Sequence, residues 1–185
     1  MLFKVKPKNA CIWDLSLLYL LKEEINMKKK LAYLVSSVFG VGFCPKASGT
    51  FGSLVTLPLA FVLAYYWGLC GVLIAVVIVF FLGTIASKEV LKYTKHDPSL
   101  IVIDEVAGQL TSFILVAPVL YQNCSCQAVV LYISGFALFR LFDITKPSIV
   151  GWADKKIENA WGVMLDDIFA GIFAAVILRF SLLVF

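Results

Sequence analysis

Two long stretches of the chain carry no charged residue, Ser53 to Ser87 and Val106 to Phe139. Each exceeds the ~20 residues that one helix needs to cross a bilayer. Each therefore predicts two short spans joined by a turn, and a further apolar run closes the chain. The pattern predicts helical spans at about 53–67, 70–87, 105–121, 127–145 and 163–184. Helices are expected because a spanning helix satisfies its backbone groups within itself. The first span is short and contains Pro58, which also admits a re-entrant segment. Leu31 to Val41 reads as an interfacial helix, and the Gly-rich run from Gly40 to Gly52 as a loop. The expected fold class is an all-α integral membrane protein of four to five transmembrane helices with cytoplasmic polar loops.

Composition agrees with that class. Of 185 residues, 61% are hydrophobic and 15% charged, against roughly 25% charged in soluble domains. The net charge of +4 is no sign of a nucleic-acid partner, because the basic residues are scattered and no aromatic-basic stripe accompanies them. They read as topology determinants. Lys28-Lys29-Lys30, Lys46, Lys88, Lys92, Lys95, Lys146, Lys155 and Lys156 flank the apolar stretches, whereas the turns at 67–71 and 121–127 have no Lys or Arg. The positive-inside rule puts the lysine-rich loops in the cytoplasm and the bare turns outside. Residues 1–26 are mixed in character, with an apolar run too short to span and no signal-peptide cleavage site. Met27-Lys-Lys-Lys resembles a natural membrane-protein start, so residues 1–26 are expected to be a dispensable extension before a single domain over 27–185. The five cysteines match no zinc spacing, and there is one histidine, His96.

Polar chemistry collects at the edges of the apolar stretches. Of 12 acidic residues, Asp104, Glu105, Asp143, Asp166 and Asp167 stand where a bilayer makes charge expensive, at least ~2.5 kcal/mol each at mid-membrane. Asp104-Glu105-Val-Ala-Gly108-Gln109 opens a span and offers hard oxygen ligands of the kind Mg²⁺ takes. Acids there also complement a helix dipole. Arg140 and Asp143 are spaced to pair, or to divide between phosphate and metal, with Lys146 nearby. Adjacent carboxylates at Asp166-Asp167 repel and call for a cation unless exposed. Pro45 to Ser53 leads into a helix and is either a capped helix start or an anion cradle. His96 is either a proton-transfer group or a solvated loop residue. On the expected topology these groups all converge on one membrane face.

Several reaction types are excluded by missing residues. Cys44 has Thr50, not arginine, six residues on, so no cysteine-phosphatase loop exists. Asp143-Ile-Thr145 lacks the paired aspartates of aspartyl-phosphate hydrolases, and one histidine cannot serve a two-histidine lipid phosphatase. Carboxylates, bases and a membrane remain, which suits metal-assisted attack of water on phosphate.

Four ordered blocks resemble the phosphatidylglycerophosphatase A family. They are Pro-Lys-Ala-Ser-Gly-Thr-Phe-Gly-Ser (45–53), Ile-Val-Ile-Asp-Glu-Val-Ala-Gly-Gln (101–109), Phe-Arg-Leu-Phe-Asp-Ile-Thr-Lys-Pro (139–147) and Gly-Val-Met-Leu-Asp-Asp-Ile-Phe-Ala-Gly (162–171). The resemblance covers about residues 28–183 and implies a Mg²⁺-dependent phosphatase of the bacterial inner membrane. Its implied substrate is the phospholipid phosphatidylglycerophosphate, and its products are phosphatidylglycerol and phosphate. On this expectation Asp104, Asp166 and Asp167 hold Mg²⁺, with Asp143 available as a fourth ligand. Arg140 or Lys146 neutralises phosphate. Glu105 or an aspartate orients the attacking water. Lys46, Ser48, Gly49 and Thr50 donate hydrogen bonds to phosphate oxygens. The rival classes are a small ion or proton transporter, a structural subunit, and a phosphatase for another lipid phosphate. The spaced signature of the CDP-alcohol phosphotransferases is absent.

Overall fold

The structure, a computed structural model, describes residues 27–94, 99–122, 126–147, 149–157 and 159–184. The amino-terminal extension and His96 lie outside the described residues, as do the expectations attached to them. The described residues form seven α-helices and no strand: α1 (Met27–Ser36), α2 (Ser48–Val90), α3 (Ile103–Ser112), α4 (Ala117–Gln122), α5 (Cys126–Thr145), α6 (Ile149–Lys156) and α7 (Ala160–Val184). Three helical stretches, Ser48–Val90, Gln127–Thr145 and Ala160–Leu182, are long and apolar enough to cross a membrane.

The first two expected spans form one helical element, α2, and the turn expected between them is reduced to a single break. Gly68 has φ 56° and ψ −142°, a conformation open to glycine and costly for a residue with Cβ. The chain reverses there. A Cβ on Gly52 would lie 3.2 Å from Val102 Cβ, and one on Gly83 would lie 3.1 Å from Ile103 Cγ2. On one straight helix those glycines would stand roughly 45 Å apart, yet they touch consecutive residues. Thus α2 is a hairpin of two arms whose free ends meet beside the start of α3. Pro58 sits inside the first arm without ending it.

The third expected span is interrupted. α3 stops at Ser112 and the chain makes short turns over 113–116, in which Phe113, Ile114 and Val116 donate three residues back. Pro118 is the physical cause, since it has no N–H to offer Ile114 and its ring crowds that carbonyl. α3 is also the most enclosed helix, with Val106 to Ser112 all buried. Phe113, Leu110 and Val116 pack with Leu178 of α7 and Leu131 of α5 in the principal core. The outer faces of α2, α5 and α7 expose Val77, Ile78, Phe81, Val129, Ile133, Ile172 and Phe180, an exterior suited to lipid rather than water.

The loop region expected after Pro147 contains α6. Its Val150 and Ala153 are fully buried, while Ile149 and Trp152 face outward. This short helix connects the end of α5 to the start of α7.

Candidate active site

Two glycines set the central geometry. A Cβ on Gly108 of α3 would lie 2.6 Å from the Asp167 carbonyl oxygen and 2.5 Å from Phe139 Cε2. A Cβ on Gly171 of α7 would overlap the Gly108 carbonyl oxygen and lie 2.8 Å from Thr111 Cβ. The two helices therefore touch backbone to backbone, which residues without side chains permit. Asp104 stands one turn before Gly108, and Asp167 one turn before Gly171, on the same faces as those glycines. Close contact of the glycines thus brings the two aspartates together.

Glu105 completes a cluster with them. Oxygens of Asp104, Glu105 and Asp167 all lie within 4.8 Å of one another. Asp104 is 7% and Asp167 3% exposed. Asp104 Oδ1 accepts the Glu105 amide at 3.0 Å, whereas Glu105 Oε2 is buried without a hydrogen-bond partner. Among the described residues none of the three forms an ion pair with lysine or arginine. Carboxylates serving only a helix dipole can remain in water. Arg140 stands near Glu105 but is paired with Asp143, and three carboxylates buried together repel one another, a cost that a cation among them would relieve.

The other two acids are paired. Arg140 Nη1 lies 2.6 Å from Asp143 Oδ2 within α5, and Lys146 Nζ lies 2.9 Å from Asp166 Oδ2 on α7. A cavity of about 230 Å³ joins the two groups. Its wall holds all five acids, Lys146 and Ser48, closed by Ser99, Ile101 and Val163.

The sequence-predicted residues divide accordingly. Asp104, Glu105, Asp143, Asp166, Asp167, Lys146 and Ser48 meet at the cavity. Ser48 begins α2, and its hydroxyl donates to the Ser99 carbonyl at 2.7 Å. Gly49 is buried behind it, and a Cβ there would overlap Glu105 Oε1 and stand 3.1 Å from Arg140 Nη1. Arg140 backs this wall without lining the cavity. Lys46 is exposed, and neither it nor Thr50 lines the cavity. Ser99, Ile101 and Val163 were not singled out by sequence; a loop serine and two aliphatic residues in an apolar chain give no chemical signal.

Buried carboxylates around a cavity that also receives a lysine, in a frame of long apolar helices, suit an enzyme that acts on a lipid phosphate. Comparison with known proteins gives the same class. The family described as phosphatidylglycerophosphatase A matches residues 34–182. A Haemophilus influenzae protein named phosphatidylglycerophosphatase A is 35% identical over 160 residues, 83% of this chain and 93% of that protein. An Escherichia coli protein of the same name is 30% identical over 151 residues, 80% of this chain and 81% of that protein. A Bacteroides thetaiotaomicron protein named provisionally for phosphatidylinositol-3-phosphatase activity is 34% identical over 155 residues, 80% of this chain and 91% of that protein. No solved structure matches. The chain belongs to the phosphatidylglycerophosphatase A family and is a phosphatase.

Proposed function

We propose that this protein hydrolyses the terminal phosphate of phosphatidylglycerophosphate, releasing phosphatidylglycerol and inorganic phosphate in phospholipid synthesis. The reading places Mg²⁺ on Asp104, Glu105 and Asp167, and the cavity on the cytoplasmic side of a bacterial inner membrane. The carrying observation is the buried Asp104–Glu105–Asp167 cluster with its unpartnered Glu105 oxygen, next to Lys146 in one cavity. A hard, all-oxygen donor set fits Mg²⁺. When bound, that ion supplies charge neutralisation at the phosphate and Lewis acidity.

The chain's own residues account for the rest of the chemistry. Lys146 presents an ammonium to the phosphate oxygens. The amide groups of Ser48 and Gly49 at the start of α2 have no preceding helical carbonyls to bond, so the helix N-terminus favours an anion. Asp143 lines the cavity outside the metal cluster and is placed to take a proton from the attacking water, with Arg140 steadying its charge. The water oxygen bonds to phosphorus, the ester oxygen–phosphorus bond breaks, and the departing alkoxide takes a proton from solvent. The acyl chains stay in the bilayer beside the apolar faces of α2, α5 and α7.

The lysine-flanked ends and bare turns support the cytoplasmic orientation through the positive-inside rule. The Bacteroides relative supports a second substrate reading, an inositol phospholipid phosphate. Purified protein is to be assayed for phosphate release from phosphatidylglycerophosphate and from phosphatidylinositol 3-phosphate. A higher kcat/KM on the first is expected. A higher value on the second would replace the proposed substrate while keeping the reaction.

A further inference from the structure

Asp166 and Asp167 are neighbours in sequence with the same side chain, yet the structure separates their surroundings. Successive residues on a helix point about 100° apart. Asp167 falls within the Asp104–Glu105–Asp167 cluster, whose oxygens lie within 4.8 Å. Asp166 instead meets Lys146, with Oδ2 2.9 Å from Nζ. Both residues of that pair line the cavity. The Lys146 side chain is 30% and the Asp166 side chain 9% exposed.

The Lys146 backbone is independently constrained. Its φ is 43°, in the left-handed region, where residues other than Gly, Asn and Asp are uncommon. Its amide donates to Phe142 at 2.9 Å, ending α5. Its carbonyl lies so near Gly151 of α6 that a Cβ there would stand 2.6 Å from the oxygen. Pro147 follows and fixes the exit of the chain. A lysine stem is flexible and loses much side-chain freedom when held in one place. Here the backbone is set by Phe142, Pro147 and Gly151, and the ammonium is held by Asp166.

We propose that Asp166 is a positioning residue, which acts on the lipid phosphate through Lys146 and leaves metal binding to its neighbour Asp167. The proposal rests on reading this cavity as the phosphate site. It divides the acidic pair: one carboxylate aims the cation that receives the phosphate, and the other serves the metal cluster. Without Asp166 the ammonium loses the carboxylate that holds it at the cavity, and substrate capture suffers more than metal loading does.

The test uses the full chain in detergent micelles, with Asp166→Asn, Asp166→Glu, Lys146→Gln, the Asp166→Asn/Lys146→Gln double variant and Asp167→Asn. Kinetics on phosphatidylglycerophosphate are measured beside Mn²⁺ binding to substrate-free protein by electron paramagnetic resonance. Asp166→Asn is expected to raise KM roughly tenfold with a smaller change in kcat, and to leave Mn²⁺ affinity unchanged. Asp166→Glu, which keeps the charge, restores most of the loss, and the double variant is no worse than Lys146→Gln alone. Mn²⁺ binding weakened by Asp166→Asn as much as by Asp167→Asn overturns the proposal, as does a double variant whose loss is the product of the two single losses. Intact Mn²⁺ binding in Asp167→Asn would instead overturn the metal-cluster reading, and the Lys146–Asp166 coupling is still decided by the double variant.

Discussion

Gly108 and Gly171 are in backbone contact, and neither has room for a methyl group. One turn before each glycine stands an aspartate of the carboxylate cluster. The packing of α3 on α7 and the assembly of the site are therefore one event. Besides the Phe139 ring, the contact involves the carbonyl oxygens of Gly108 and Asp167, and backbone atoms cannot yield without moving a helix.

Replacing either glycine by alanine should force the helices apart. Gly108→Ala and Gly171→Ala are each expected to cost about 1–3 kcal/mol of stability, the usual cost of overpacking, and to lower turnover far more than stability. Thermal unfolding in detergent beside phosphate release checks this. A fully active Gly171→Ala protein would show that the crossing does not set the site.

The cluster acids should be intolerant of neutral replacement. Asp104→Asn, Glu105→Gln and Asp167→Asn are each expected to lower turnover by about 100-fold or more, the scale of losing an electrostatic contribution to the transition state. Membrane insertion should be retained, because each change removes a buried charge and keeps the shape. Activity and membrane yield are measured together. Near-normal turnover in Glu105→Gln would remove Glu105 from the cluster.

Gly49 has a steric role that its neighbours lack. A methyl there meets Glu105 Oε1 and crowds Arg140 Nη1, so Gly49→Ala is expected to depress kcat strongly. Lys46→Gln, at an exposed position outside the cavity wall, should change kcat little. Equal effects from the two variants would return weight to the whole 46–50 segment as a phosphate loop.

The α2 hairpin places Cys70 next to its apex, with an exposed thiol, and Tyr66 and Trp67 are exposed beside it. Cys44 lies just before the first arm. In a variant whose other cysteines are serine, Cys70 should react with a membrane-impermeant maleimide added outside spheroplasts. The corresponding Cys44-only variant should react only after lysis. Labelling of both from the same side would contradict full crossing by the two arms.

Much of this site was legible because charge is rare in an apolar chain. Five acids and Lys146 stood out against the charge-free stretches, and all six reach one cavity. The division among them was not legible. Which of Asp166 and Asp167 joins Asp104 depends on the rotation of α7, and the contact at Gly108 and Gly171 sets that rotation. Sequence reasoning gave Glu105 the attacking water and left it out of the metal ligands, whereas its oxygen lies within the cluster of Asp104 and Asp167. Fold errors were local. Gly68 replaced a five-residue turn, Pro118 broke an apolar run that had looked continuous, and α6 was too short for its pattern to register. Ser99 went unnoticed because its part in the cavity is a carbonyl accepting from Ser48, a group every residue has.

The most direct test is phosphate release from phosphatidylglycerophosphate by the purified protein, with Mg²⁺, after EDTA, and after Mg²⁺ is restored. The proposed site predicts release with Mg²⁺, its loss with EDTA, and recovery on adding the ion back. Release indifferent to EDTA would contradict the metal role of Asp104, Glu105 and Asp167, and no release from folded protein would contradict the proposed reaction.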